Sequence, residues 1–410
     1  MKVSVLGGAS VATVQLANAL ASWTDAKDTR GALELSLYGR DEAKLARVAD
    51  AARRVLVGRV ALEATTDVVA SLRGAEVVIV QVRVGGLGAR RFDETFAQAQ
   101  GLPGEETMGP GGFANALRTV PTLLPLFDTI ANVAPGALVV LLSNPAGIVR
   151  QVASRRGLRA VSVCEAPHVL LAQVAEVLER PFDELIERYV GMNHVGFYVA
   201  HDEAELRSLY ALSPVAPRDI DTLGALPLAY VRYYCDPRAC YDAQVQRPPR
   251  AEELMALERD ARERLASGEL PDAQQRPSPW YSLALVPLLD ALVRGHDETI
   301  LFGSANGDRV TTLSSGATVE GPGSMSAKGW TSHRTVDVPV GALALLERHS
   351  SYEDLAVEAS LDPTFEKLRA ALSLNPMVDE SVDVDALVDA ILSSPFGPSS
   401  ATQGRGEVVH

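Results

Sequence analysis

Cysteine is scarce. The 410-residue chain has three, Cys164, Cys235 and Cys240, too few for a disulfide framework and suited to a reducing compartment. Positive charge is in deficit as well: 38 lysines and arginines face 52 aspartates and glutamates, for a formal net charge of −14. That balance argues against a broad nucleic-acid surface, although a local group of arginines can still bind a small anion on an acidic protein. Long apolar runs are missing. None reaches the length needed to span a bilayer, and the opening MKVSVLGGAS has neither the apolar region nor the cleavage site of a secretory signal. A cytoplasmic protein with no nucleic-acid partner and no membrane partner is expected. There is also no internal repeat and no complete G-x-G-x-x-G fingerprint.

What is present is ample material for a core. Apolar residues make up 47% of the chain, and at this length more than one core is usual, so two domains are expected. KVSVL at 2–6, LELSLY at 33–38, AEVVIVQV at 75–82, ALVVLLSNP at 137–145 and LRAVSVC at 158–164 read as strands. Several are nearly continuous apolar runs, as strands covered on both faces are. Helical segments lie between them: after GGAS through Leu20, then 41–54, 113–133 and 146–154. The alternation predicts an α/β domain at 1–160, a Rossmann-like, doubly wound parallel sheet. The remainder, 161–410, is less regular and reads as α+β. It offers paired strands around 187–202, a charged helix at 251–266, and an apolar helix at 282–295 that Pro287 should bend or shorten. A strand begins at 298 and a helix is entered through 336–349. PRDIDTLG and RPSP read as connectors, and the tail 399–410 as frayed.

Chemistry gathers at the ends of the predicted strands. GGAS at 7–10 stands between a strand and a helix, so Gly7, Gly8 and Ser10 let the backbone approach a pyrophosphate at a helix N-terminus. After the second strand LYGRDE has Gly39 where a ribose-binding acid is sought. Asp41 becomes the candidate, and Arg40 leaves NADP open. RVGGLGARRFDE at 83–94 packs Arg83, Arg90 and Arg91 among glycines, a composition suited to a phosphorylated or carboxylated ligand. EETMGPGGFANALRTVP at 105–121 is a second glycine-rich loop, and Asn144 ends a strand where it can hold substrate hydroxyls or cofactor. SVCEAP at 162–167 and GMNHVGFY at 191–198 supply a thiolate and an imidazole, Cys164 and His194. Together they suit Mn²⁺, Fe²⁺, Ni²⁺ or Zn²⁺ in an open site completed by substrate; read singly, Cys164 fits better as a small buried apolar residue. PLAYVRYYCDP at 227–237 clusters three tyrosines, any of which serves as a base only where positive charge stabilises its phenolate.

In their order and spacing, GGAS, RVGGLGARRFDE, EETMGPGGFANALRTVP, SNPAGIV, SVCEAP, GMNHVGF, PLAYVRYY and the YS at 281–282 resemble glycoside hydrolase family 4 over at least residues 1–325. These are NAD- and divalent-metal-dependent glycosidases, and the 6-phospho-β-glucosidases look nearest. The resemblance implies a second domain like that of lactate and malate dehydrogenases, NAD and most readily manganese as cofactors, and a homodimer or homotetramer. It implies a route outside the usual two-carboxylate scheme. Hydride leaves C3 of the sugar for NAD⁺, a tyrosine removes the acidified C2 proton, the aglycone leaves C1, water adds, and C3 is reduced again. On this resemblance Cys164 and His194 are the metal ligands, Tyr230 the base with Tyr233 second, and Asn144 and Asn193 sugar contacts. Glu106 matches the acid of the glycine-rich loop, and Arg83, Arg90 and Arg276 stand near substrate or phosphate.

The chain departs from that pattern at four places. EET replaces the usual QET, adding Glu105; RPSPW replaces an RGG segment after Arg276; Gly39 stands where an acid is usual. The fourth is Glu165. Members acting on β-glycosides typically carry asparagine after the cysteine, and those acting on α-glycosides carry aspartate, thought to be the leaving-group acid. Glutamate fits neither, so an α-linked or non-phosphorylated substrate stays open beside the 6-phospho-β-glucoside. So does a dehydrogenase of a 2-hydroxy acid or sugar acid.

Overall fold

The five strand runs of the first half, joined by one edge strand, become six parallel strands. These are β1 (Lys2–Leu6), β2 (Glu34–Tyr38), β3 (Ala61–Thr65), β4 (Val77–Val80), β5 (Leu138–Leu141) and β6 (Arg159–Ser162), in the spatial order β3-β2-β1-β4-β5-β6. The order reverses between β1 and β4, and the carboxyl ends of strands on either side of such a point open a crevice for a ligand. Every residue of β4 and β5 is buried, as expected of strands with helices on both faces. The helices of this half include α1 (Ala12–Lys27), α2 (Glu42–Leu56), α3 (Gly86–Asp93), α4 (Gly109–Val133) and α5 (Ala146–Arg155). The computed structural model describes residues 1–272, 278–295, 298–326 and 329–398. Arg276 and Pro277 of the RPSP connector and the tail 399–410 lie outside them. The sequence reading omits β3, because ALEAT lies at the sheet edge with no buried residue and offers no apolar run.

The sheet continues past β6. The second half adds β7 (Tyr189–Met192), β8 (Val195–Tyr198), β9 (Leu226–Pro227), β10 (Glu298–Ala305), β11 (Thr318–Ser326) and β12 (Gly329–Ser332). β10 pairs antiparallel with β6, and the order runs on through β11, β7, β8 and β9. A boundary at 160 therefore falls inside β6, the strand on which the two halves of the sheet meet. Around this half lie α6 (Ala166–Leu178), α7 (Arg250–Ala266), α8 (Val286–Arg294), α9 (Val340–Leu361), α10 (Phe365–Leu374) and α11 (Val384–Ser393). PRDIDTLG is more than a connector: Pro217–Leu223 is a short helix, closed by Gly224 at φ 74°. Pro opens it where no helical N–H bond is lost, and glycine ends it where a left-handed residue is needed. Pro287 does shorten its helix. Tyr281–Leu285 form a wider π-helical turn, and α8 starts at Val286 with the proline in its first turn.

The last helices return to the first half. Leu368 and Leu372 of α10 and Leu387 and Ile391 of α11 share one core with Phe113, Leu117 and Phe127 of α4. This core and the packing of α9 on α4 and α5 bring the end of the chain beside the strand ends that carry the candidate site. No helix among the described residues is long and apolar enough to cross a membrane.

Candidate active site

The first wall of the site is the turn after β1. The amides of Gly7 and Gly8 both donate to the Tyr38 carbonyl, at 3.2 and 2.7 Å, which pins the turn against β2. Gly7 has φ +97°, and a Cβ there would come within 2.9 Å of the Gln81 carbonyl; one at Gly8 would come within 2.8 Å of Leu37 Cβ. Glycine is required at both for close strand packing and, at Gly7, for the left-handed backbone. Ser10 Oγ accepts from the Ala12 amide at 3.3 Å, at the entry to α1. A Cβ at Gly39 would lie 2.8 Å from that of Ala9, so an acid at this position displaces the turn. Asp41 caps α2: its carboxylate accepts from the Lys44 amide at 2.9 Å and pairs with Lys44 Nζ at 3.2 Å.

The second wall joins the two glycine-rich loops through ions. Buried Glu106 receives both guanidinium nitrogens of Arg83 and, at 2.6 Å, Nη1 of Arg90. Arg90 also donates to Glu94 at 2.6 Å. Burial alone would raise the Glu106 carboxyl, but Arg83 and Arg90 prevail and hold it at about 2. Its neighbour Glu105 has no arginine of its own. It accepts from the Thr107 amide at 3.2 Å, and burial, with the Glu106 charge alongside, pushes it up to about 7. Behind this cluster Arg118 of α4 donates to Asp93 at 2.8 Å, tying α4 to the end of α3. Arg91 faces outward and pairs with Glu252 of α7 at 2.8 Å, so of the three arginines of the motif it is the one directed away from the loop.

The third wall carries the candidate ligands and base. Cys164 lies just past β6, and its Sγ is 3.8 Å from Glu165 Oε2. His194 sits in the two-residue turn between β7 and β8, in which Met192 pairs with Val195. Hairpin turns of this length demand positive φ, and His194 adopts φ +66° although it is not glycine. The turn is buried rather than solvated: Asn193 is 5% and His194 7% exposed. Tyr230 stacks on His194 with ring centroids 4.0 Å apart and planes 5° apart. Burial first, then the charges of Glu105, Cys164 and Glu165, push the Tyr230 hydroxyl above its ordinary value. Burial likewise lowers His194 to about 4, leaving it neutral, and burial with Glu165 and Glu320 holds the Cys164 thiol well above its usual range. Tyr233 is anchored differently, its hydroxyl receiving Arg232 at 3.2 Å and Gln244 at 3.3 Å. Asn144 is half-buried and precedes α5 through a cis bond to Pro145.

The hairpin owes this shape to its glycines. Gly191 and Gly196 face each other, and a Cβ on Gly196 would overlap the Tyr189 hydroxyl tucked beneath the turn. Gly196→Ala is therefore expected to destabilise the fold by about 1–3 kcal/mol, read as a lower denaturation midpoint. An unchanged midpoint would show that Tyr189 can move aside freely.

Three buried polar residues escape a reading based on motifs. Glu320 of β11 is 2% exposed and accepts from Asn193 Nδ2 at 3.1 Å. On α9, buried His349 shares a hydrogen bond between its Nδ1 and the Tyr234 hydroxyl, 3.1 Å apart, and its Nε2 lies 3.5 Å from buried Glu353. Only Glu320 carried a signal, a carboxylate in a strand otherwise free of charge; His349 and Glu353 stand among the polar residues of ERHSSYED and are not marked out by the sequence. Among the described residues no three of His, Cys, Asp and Glu are placed to hold a metal together. Cys164 and His194 thus make at most a two-ligand, open set. The buried atoms Asn193 Oδ1, His194 Nδ1 and Glu320 Oε2 have no well-formed hydrogen bond among the described residues. Such atoms are rare in folded proteins, and a group of them beside a thiol fits a site that takes a further ligand.

A parallel sheet whose strand order reverses between β1 and β4, continued by strands that carry the buried His194–Tyr230 stack, defines the class: an α/β protein of the dinucleotide-binding type with a polar buried centre in its second half. Residues 2–180 match the family 4 glycosyl hydrolases and residues 189–378 the family 4 glycosyl hydrolase C-terminal domain. The chain belongs to this family and is a glycosidase. It is 25% identical to a 6-phospho-β-glucosidase of Thermotoga maritima, solved with manganese, NAD⁺ and glucose-6-phosphate, at a TM-score of 0.84 over 96% of this chain and 98% of that one. It is 26% identical to 6-phospho-α-glucosidase 1 of Lacticaseibacillus paracasei, over 88% of this chain and 90% of that protein. A malate dehydrogenase from Salinibacter ruber shares the fold, with a TM-score of 0.51, 15% identity and coverage of 90% of this chain and 99% of that one. The α/β first half and the dehydrogenase-like α+β second half are as the sequence predicts.

Proposed function

We propose that the chain hydrolyses an O-glycoside through transient oxidation at C3, with 6-phospho-β-glucosides the first substrate class to test. The observation that carries this reading is Tyr230 stacked on the buried His194, with Cys164 and Glu165 among the groups whose charge acts on its hydroxyl. When bound, NAD supplies a hydride acceptor at C3, and a divalent metal, manganese first, supplies Lewis acidity at the C2 and C3 oxygens. Gly7, Gly8 and Ser10 at the entry to α1 receive the pyrophosphate, and Cys164 and His194, flanked by the unpartnered buried atoms, hold the metal. Tyr230 removes the C2 proton. Its neighbours are burial and negative charge, both of which favour the phenol, so positive charge must enter beside it before it can act. Glu165, next to the thiol, delivers a proton to the departing C1 oxygen. Asn144 and Asn193 orient sugar hydroxyls. Asp41, committed to capping α2, contributes to nucleotide binding through the position of that helix. Arg83 and Arg90, with Glu106 between them, present the guanidinium face toward a C6 phosphate, and Arg276 is carried as a further phosphate contact. The assembly implied is a homodimer or homotetramer.

Relatives named for both linkages are similarly close, so the anomer is decided by assay. Protein, NAD⁺, Mn²⁺ and a thiol reductant are mixed with nitrophenyl α- and β-glucosides, with and without a 6-phosphate. Turnover of at least one without net NADH is expected, because the cofactor is restored in each cycle. No turnover with any of them, or NADH formed in step with a 2-hydroxy acid or sugar acid, rejects the reading.

A further inference from the structure

One row of residues crosses the sheet between the segments that carry Cys164 and His194. Ser162 of β6 pairs with Gly303 of β10, Gly303 with Glu320 of β11, Glu320 with Gly191 of β7, and Gly191 with Gly196 of β8. Cys164 follows Ser162 by two positions, and His194 follows Gly191 by three. Glu320 is thus the central side chain of the row, with a glycine on each side. Those glycines are required. A Cβ on Gly303 would overlap Ser162 Oγ and lie 3.4 Å from Glu320 Cγ, while one on Gly191 would overlap Gly196. Between them Glu320 is 2% exposed, and no cation pairs with it among the described residues. A lone buried carboxylate is expensive. Its one well-formed bond is from Asn193 Nδ2 at 3.1 Å, with the Tyr189 hydroxyl beside it. That bond fixes which way the Asn193 amide faces. It leaves Asn193 Oδ1 and the adjacent His194 Nδ1, both buried, free to meet a ligand.

We propose that Glu320 is a positioning residue of this centre, holding the Asn193–His194 turn so that the amide oxygen and the imidazole present themselves to the metal and sugar opposite Cys164. The proposal rests on the reading of Cys164 and His194 as metal ligands. Groups that orient a ligand-bearing segment without touching the ion commonly govern 10–100-fold of its affinity.

The test is cobalt binding to the full chain without substrate, followed by the thiolate-to-cobalt absorption band and by titration. Glu320→Ala is expected to weaken cobalt binding about 10–100-fold and to alter the band. An isosteric swap keeps the proposal testable where Glu320→Ala fails to fold. Asn193→Asp alone sets two carboxylates against each other and weakens binding. Asn193→Asp with Glu320→Gln restores the hydrogen bond in the reverse sense and recovers most of the affinity, which a merely structural role for either residue does not predict. Cobalt binding that needs Cys164 but is indifferent to Glu320→Ala, or a swap no better than Asn193→Asp, overturns this proposal alone. Cobalt binding indifferent to Cys164→Ser overturns the metal reading as well. Absence of glycoside turnover by the unaltered chain, with its cobalt binding dependent on Cys164 and Glu320, would speak against the proposed hydrolysis and leave the role of Glu320 standing.

Discussion

Tyr230→Phe is expected to reduce kcat by about 10²–10⁴-fold, the range over which a positioned acid or base acts, with NAD and manganese binding retained. The ring itself is needed for the 4.0 Å stack on His194, and phenylalanine keeps that stack. The substitution therefore removes the proton acceptor while leaving the imidazole supported. Tyr233→Phe is the matched control. Its hydroxyl is held by Arg232 and Gln244, so its loss frees structural partners rather than an acceptor in the centre, and a much smaller fall in kcat is expected. Deuterium at C2 of the substrate sharpens the comparison. If C2 proton removal limits the wild type, the isotope effect persists or grows in Tyr230→Phe and is unchanged in Tyr233→Phe. A Tyr230→Phe enzyme within a few-fold of wild type, or an equal fall in both variants, assigns the proton to another group.

The first half of the fold was legible because period and composition agree there. Continuous apolar runs such as AEVVIVQV mark strands covered on two faces, and β4 is buried at every position. β3 shows where that signal ends, since an edge strand with no buried residue has no apolar run to detect. The glycine loops and the Cys164, His194 and Tyr230 motifs were legible through their order along the chain, not through their chemistry taken singly. What stayed hidden was pairing. Nothing in RVGGLGARR states that Arg83 and Arg90 converge on Glu106, and nothing in TVEGPG marks Glu320 as the neighbour of Asn193, because those contacts are made between segments far apart in sequence. Asp41 illustrates the converse. An acid three places after β2 suits a ribose, and an acid three places before a helical amide also suits a cap; the backbone shows Asp41 as that cap.

Glu106→Gln is expected to lower the stability of the fold by about 3 kcal/mol at neutral pH. A buried carboxyl held at about 2 in place of its ordinary 4.5 contributes roughly that amount. Removing one member of a buried ionic group costs a similar sum by leaving the others unpaired. The sign follows from the direction: a depressed carboxyl stabilises the fold above its ordinary value, and the contribution is lost as pH falls from there through about 2. Wild type and variant should therefore differ most in denaturant midpoint near pH 7 and converge as pH approaches 2. Glu105 complicates the neutral end. It is pushed up to about 7, in part by the Glu106 charge. In Glu106→Gln that repulsion is gone, so Glu105 ionises more readily and supplies Arg90 with a substitute partner. The double variant Glu105→Gln with Glu106→Gln lacks this refuge and should lose more at pH 7 than the two single changes together. A cost that stays the same from pH 7 to pH 3 would mean that shape rather than charge holds the two loops. An additive double variant would mean that the two carboxylates answer to different arginines.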